Sequence, residues 1–130
     1  MKRYMLFFTF ISFGICGISF LFSQELLSLL DSSFAQYYDT FLILIVGICG
    51  ILIFRGLYGN LLSSIGKVHI NYYIGSVALL LNSISNYYLI PKYGILGAAL
   101  TSAFIMWFTG IISYVWFLIL YKKFNRVAYK

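Results

Sequence analysis

The chain has 130 residues, of which 62% are hydrophobic, 21% aromatic and only 9% charged. This composition is typical of an integral membrane protein and excludes a soluble globular core. The formal net charge is +6. The basic residues do not belong to a soluble domain, so we assign this charge to membrane topology and to contact with lipid headgroups. For the same reason we exclude nucleic acid as a partner.

Four stretches with few charges are each long enough to cross a bilayer as a helix of about 20 residues. The predicted spans are 4–23, 40–58, 70–90 and 94–121. A signal peptide is the alternative for the first stretch, since a basic segment precedes an apolar run. The aromatic segment 20–22 occupies the place of a cleavage site, however. We therefore expect an all-α, polytopic membrane protein whose residues 1–130 form a single membrane domain.

The basic residues predict the orientation of these spans, because Lys and Arg gather in cytoplasmic loops. With the N-terminus inside, eight of the nine basic residues lie on the cytoplasmic side and only Lys92 lies outside. The eight are Lys2, Arg3, Arg55, Lys67, Lys122, Lys123, Arg126 and Lys130. Glu25, Asp31 and Asp39 all fall in the outer segment 24–39, which predicts an interfacial helical turn and a short loop. The pattern favours an N-in, C-in protein of the cytoplasmic membrane.

The two cysteines, Cys16 and Cys49, lie inside the first and second predicted spans. Thiols at such positions act as small apolar groups. The sequence has no Cys-x-x-Cys motif or Cys/His cluster, so we expect no disulfide, no metal site and no redox role.

Glycine and proline predict how the helices end. Gly66 is suited to end the helix that continues past Arg55 on the inner side. Pro91 lacks an amide hydrogen and is predicted to end the third span, and Gly94 to relax the backbone before the fourth. An outer turn this short requires the third and fourth spans to pack as an antiparallel hairpin.

One face of the third span is small and polar. It comprises Asn71, Gly75, Ala78, Asn82 and Asn86, which helical spacing places on one side. Amides inside a bilayer either bond to neighbouring helices or line a water-filled route. Both interpretations stay open for Asn82 and Asn86, which are candidate substrate-binding residues because amides donate to and accept from hydroxyls.

The fourth span begins with a ridge of small residues. Gly94, Ala98 and Ser102 recur every four residues, with Gly97 and Thr101 beside them. Such a ridge permits close approach of another helix, and we interpret it as a helix-packing surface.

Arg55 is the most informative single residue, because it is charged and lies about 23 Å along the second span. In one interpretation it reaches the inner headgroups. In the other it faces a central cavity and binds a pyrophosphate, for which the forked guanidinium is well matched. Lys67 and His69 are candidates to assist at the inner mouth, or belong to a solvated loop.

An enzyme is not expected. The sequence contains no carboxylate within a span, no nucleophile paired with a base, no phosphate-binding loop and no metal-ligand spacing. We therefore predict no catalytic residue, no metal and no cofactor.

Three segments resemble the C-terminal lobe of polysaccharide flippases of the O-antigen type, in the multidrug/oligosaccharidyl-lipid/polysaccharide export superfamily. The segment 22–34 is similar to an outer loop of that lobe, and 60–67, Asn-Leu-Leu-Ser-Ser-Ile-Gly-Lys, to an inner stretch. The junction Leu-Ile-Pro-x-Tyr-Gly at 89–94, followed by Gly-Ala-Ala at 97–99, resembles the link between the last two helices.

The resemblance implies translocation of a lipid-linked oligosaccharide, an undecaprenyl-linked unit, from the inner to the outer leaflet. Family members have two lobes around a central cavity, and this chain corresponds to the last four helices. A missing N-terminal lobe or self-association would then complete the protein. The alternatives are a small four-span oligomeric transporter and an accessory membrane protein without its own substrate site.

Overall fold

The computed structural model describes residues 2–30 and 32–128, and every element in these ranges is helical. Asp31 and Lys130, assigned above to the outer and inner sides, lie outside the described residues. The helices are α1 (Lys2–Leu21), α2 (Ser23–Leu30), a 3-10 helix (Ser32–Tyr37), α3 (Tyr38–Gly50), a π-helical segment (Ile51–Arg55), α4 (Gly56–Ser64), α5 (Val68–Tyr93) and α6 (Ile95–Ala128). The short α2 and the 3-10 helix occupy the predicted outer segment.

Within the described ranges, three helices are long and apolar enough to cross a membrane: Arg3–Leu21, Tyr38–Ser64 and Ile95–Lys123. The all-α class predicted from the sequence is therefore confirmed, and these three helices have the length and composition of membrane spans. Helix α5 has 26 residues, which is also long enough to span. It carries Asn71, Asn82 and Asn86 together with several serines and tyrosines, so its composition alone does not mark it as a span.

Helix α6 is the centre of the bundle. It packs against α3, the π-helical segment and α4, and also against α5, while α1 packs on α3 and the π-helical segment. The main apolar core lies where α4, α5 and α6 meet. Its buried members are Leu57, Tyr58, Leu62, Ile70, Ile74 and Phe117. The Tyr58 ring contacts Tyr114 and Phe117 of α6, with centroids 4.8 and 5.5 Å apart.

Glycines allow α3 and α6 to cross at close range. A Cβ on Gly47 would come within 2.8 Å of the Ala103 Cα, and one on Gly50 within 2.8 Å of the Trp107 ring. The Trp107 indole Nε1 donates to the Val46 carbonyl at 2.9 Å. Gly47 and Gly50 therefore form the surface of α3 that contacts α6.

Gly66 ends the second long helix as predicted. Its φ is +73°, its amide donates to the Ser63 carbonyl, and the Lys67 amide donates to the Leu62 carbonyl. This pair of bonds is the Schellman arrangement that satisfies the last carbonyls of a helix.

The predicted end of the third span at Pro91 is wrong, because α5 continues to Tyr93. Pro91 has no amide hydrogen to donate to the Tyr87 carbonyl, four residues back, but the chain keeps its helical course for the two residues that follow. The helix ends instead at Gly94, with φ +58°, whose amide donates to the Ile90 carbonyl at 2.8 Å. The link between α5 and α6 is thus a single residue.

The expectation that the two cysteines stay unpaired is also wrong. A disulfide joins Cys16 of α1 to Cys49 of α3, with Cα atoms 6.5 Å apart. Disulfides form across this separation, and here it arises because α1 packs directly on α3. Sequence spacing does not show that crossing.

Candidate functional site

Arg55 lies at the end of the π-helical segment that interrupts the helix from Tyr38 to Ser64. The amide of Gly56 donates to the carbonyl of Ile51, five residues back, where an α-helix would bond four residues back. Segments of this kind are rare and often occur at functional sites. The local backbone thus sets the direction of the Arg55 side chain.

The Arg55 guanidinium reaches two other helices. Its Nη1 donates to the Oγ of Ser113 on α6 at 2.8 Å and to the Oδ1 of Asn71 on α5 at 3.2 Å. Ser113 is fully buried, and its hydroxyl donates to the Thr109 carbonyl at 2.8 Å. Arg55 is half-buried and points between α5 and α6.

Asn71 connects this arrangement back to α4. Its Nδ2 donates to the Gly59 carbonyl at 2.8 Å and to the Ser63 Oγ at 2.9 Å. The amide therefore accepts from Arg55 with one end and donates to α4 with the other. We call Arg55, Gly59, Ser63, Asn71 and Ser113 the inner polar network, which joins α4, α5 and α6.

The inner polar network lies at one end of the bundle. Arg55 is about 26 Å along its helix from Tyr38, and Ser113 about 27 Å along α6 from Ile95. Asn71 is in the first turn of α5. Since the hydrocarbon core is about 30 Å thick, helices that enter at Tyr38 and Ile95 bring these groups near the opposite boundary.

The other two predicted substrate-binding residues, Asn82 and Asn86, are separate from this network. Asn82 is about 16 Å along α5 from Asn71. The Asn86 Nδ2 donates to the Asn82 Oδ1 at 2.5 Å, a bond within one helix that does not tie α5 to α6. The Asn86 Oδ1 is buried and has no hydrogen-bond partner among the described residues. An unpaired buried acceptor costs about 1–3 kcal/mol, so this oxygen favours an additional donor.

The predicted packing ridge occupies the start of α6. Gly97 is buried, and a Cβ there would meet the Leu89 carbonyl oxygen at 2.5 Å. Ala98 and Ser102 are half-buried, and Gly94 forms the exposed turn. Gly97 therefore lies directly against the backbone of α5.

Lys67, which precedes α5, and His69, in its first turn, line a different surface from Arg55. Both border a cavity between α5 and α6 whose lining includes no member of the inner polar network. The structure therefore does not bring them to the guanidinium.

Sequence reasoning missed Ser113, although it singled out Arg55 and the α5 face that includes Asn71. A signal was present: Thr109, Gly110 and Ser113 form a second group of small residues on α6, after the large residues at 104–108. Their significance depends on Arg55 pointing towards α6, which the π-helical segment determines.

The comparisons with known proteins identify two relatives. The chain is similar to a capsular polysaccharide biosynthesis protein. This relative, CapF of Staphylococcus aureus, is 38% identical over 114 residues, which are 85% of this chain and 27% of CapF. The uncharacterized membrane protein MJ1068 of Methanocaldococcus jannaschii is 41% identical over 70 residues, 52% of this chain and 13% of that protein.

The chain thus spans about a quarter of the length of CapF and about an eighth of MJ1068. No family model matches the sequence, and no solved structure matches it. The similarities and the apolar helices together support a membrane protein with a polysaccharide biosynthesis protein among its relatives.

Proposed function

We propose that the chain forms part of a flippase that moves a lipid-linked oligosaccharide across the cytoplasmic membrane in polysaccharide biosynthesis of the capsule or O-antigen type. The observation that carries the proposal is the guanidinium held among three helices at one end of the bundle. The similarity to CapF over most of the chain supports the same pathway. The role is transport without covalent chemistry.

In this proposal Arg55 binds the pyrophosphate of an undecaprenyl-linked oligosaccharide. Both bonds to Asn71 and Ser113 come from Nη1, and a guanidinium has five N–H donors. The edge formed by Nε and Nη2 is the one suited to two parallel bonds with a phosphate. Asn71 and Ser113 would then fix the direction in which that edge points.

Asn82 and Asn86 would contact the substrate at a second position, further along α5 from Arg55. The unpaired Asn86 Oδ1 can accept from a sugar hydroxyl, and amides select hydroxyls without demanding a charge. Arg55 and the asparagine pair would thus contact the phosphate and sugar parts of one substrate at different stages.

An accessory protein without a substrate site is the second candidate. It is favoured by the same hydrogen bonds, because Asn71 and Ser113 satisfy Arg55 within the bundle. Polar side chains commonly join membrane helices in this way. The two candidates differ in whether Arg55 is needed for export or only for assembly.

We further propose that α5 crosses the membrane, giving four spans with both termini in the cytoplasm. Helix α5 is about 39 Å long, longer than the hydrocarbon core. Reporters fused after Lys67, Lys92 and Lys130 should therefore indicate inside, outside and inside. The measurement pairs alkaline phosphatase, active outside, with a fluorescent protein that folds inside. The same side for Lys67 and Lys92 would contradict the four-span topology.

Deletion of the gene that encodes this chain should remove surface polysaccharide and leave its lipid-linked precursor on the inner leaflet. Surface polysaccharide is measured by antibody or lectin binding, and precursor by extraction and mass spectrometry. The control is complementation with the intact gene. Normal surface polysaccharide in the deletion strain would contradict the transport proposal. So would loss of polysaccharide without accumulation of the lipid-linked precursor, because that points to synthesis.

A further inference from the structure

Two adjoining cavities form a groove between α5 and α6. The first, about 300 Å³, opens at Lys67 and His69. The second, about 180 Å³, reaches Val77 and Phe108. Both are lined by Tyr73, Ile74 and Trp116, so they run on into each other. We call this continuous surface the α5–α6 groove.

The α5–α6 groove is cationic at one end and apolar along its length. Lys67 precedes α5 and His69 lies in its first turn, whereas the lining further along the helix is aromatic and aliphatic. No carboxylate occurs among the described residues that line either cavity. The charge of Lys67 therefore has no acidic counterpart within the groove.

Aromatic residues mark the boundary between these two parts. Tyr73 and Trp116 are exposed and lie on the facing helices. Tyrosine and tryptophan favour the level of the lipid headgroups, where an apolar ring and a polar tip are both satisfied. The cationic end would then lie among headgroups and the apolar part among acyl chains.

The α5–α6 groove is distinct from the inner polar network. Ile70 and Ile74 line it, and both also belong to the buried core formed with Leu62 and Phe117. Neither Arg55 nor the side chains that it contacts line the groove. A ligand in the groove is therefore held by different residues from the substrate proposed above.

We infer that the α5–α6 groove is a binding site for one anionic phospholipid, with its phosphate at Lys67 and His69 and an acyl chain along Tyr73, Trp116 and Phe108. Basic pockets between helices on the cytoplasmic side bind such headgroups, and the proposed orientation places Lys67 on that side. A phospholipid supplies both the negative charge that complements Lys67 and the acyl chain that complements the apolar lining. This inference does not depend on transport.

The test is lipid binding to the purified full-length chain, measured by native mass spectrometry. Phosphatidylglycerol and phosphatidylcholine with identical acyl chains are titrated separately. We expect phosphatidylglycerol to bind more tightly, and Lys67→Gln to weaken it about fivefold, since a basic residue near the membrane surface contributes about 1 kcal/mol. Val77→Trp fills the apolar part and should weaken binding with every charge intact.

Arg3→Gln is the matched control, because it removes one positive charge from an exposed position on α1 that lines neither cavity. It should leave phosphatidylglycerol binding unchanged. Equal affinity for the two lipids, or an equal loss in Arg3→Gln and Lys67→Gln, would overturn the inference in favour of general attraction to a basic protein. Binding of glycerol phosphate as tight as that of phosphatidylglycerol would also overturn it, because the apolar groove would then contribute nothing.

Discussion

Arg55→Ala is expected to abolish surface polysaccharide while the protein remains in the membrane at its normal level. The substitution removes the donor edge proposed to bind pyrophosphate. It also leaves Asn71 and Ser113 without the Nη1 donor that they share. Arg55→Lys should retain only part of the export, because an ammonium keeps the charge but loses the two-bond geometry. Export is measured as surface polysaccharide per amount of membrane protein.

Ser113→Ala separates substrate binding from assembly. It removes one acceptor that orients Arg55 but leaves the guanidinium itself, so a structural role predicts a similar loss of protein in Ser113→Ala and Arg55→Ala. A substrate role predicts that Ser113→Ala exports more than Arg55→Ala at equal protein level. Full polysaccharide output from Arg55→Ala at normal level would eliminate Arg55 as a substrate ligand. Substrate binding would then be assigned to Asn82 and Asn86.

Gly97→Ala is expected to destabilise the packing of α5 against α6. The added Cβ would lie 2.5 Å from the Leu89 carbonyl oxygen and 2.8 Å from the carbonyl carbon. Both are backbone atoms, so relief requires the helices to separate. Overpacking of this kind typically costs about 1–3 kcal/mol. The expected result is a lower midpoint of unfolding in detergent and faster proteolysis.

Gly75→Ala is the matched control for Gly97→Ala. A Cβ at Gly75 meets no described atom within 4 Å, and alanine has the higher helix propensity. Gly75→Ala should therefore keep or slightly raise the unfolding midpoint. If both variants unfold at the same midpoint, close contact between α5 and α6 at Gly97 does not contribute to stability.

The sequence predicts the helical elements well because their causes are local. Long apolar runs give α1, the helix from Tyr38 to Ser64 and α6, and Gly66 ends its helix by a conformation that glycine adopts easily. The end of α5 differs from the prediction because Gly94, with its positive φ, ends the helix, whereas Pro91 removes a single backbone bond without ending it. Local signals of this kind fix helix ends only to within a few residues.

The site was predicted less well because it depends on contacts between helices. Charge alone singles out Arg55, and spacing places Asn71 on a polar face, but neither shows that the two side chains bond. Nothing in the sequence around Ser113 shows that its hydroxyl accepts a hydrogen bond from Arg55. The pairing of Cys16 with Cys49 likewise depends on how α1 crosses α3, which no pattern within either helix encodes.

The π-helical segment also changes how the faces of the helix from Tyr38 to Ser64 must be read from its sequence. A π turn accommodates one residue more than an α turn, which shifts every following side chain by about 100° around the axis. A constant-period projection of the whole helix therefore superimposes two faces that are out of phase. In such a projection, the face of α3 that bears Gly47 and Gly50 is not distinguished from the face of α4 that bears Tyr58 and Leu62. Projected separately, on either side of Ile51–Arg55, they become two surfaces with different neighbours.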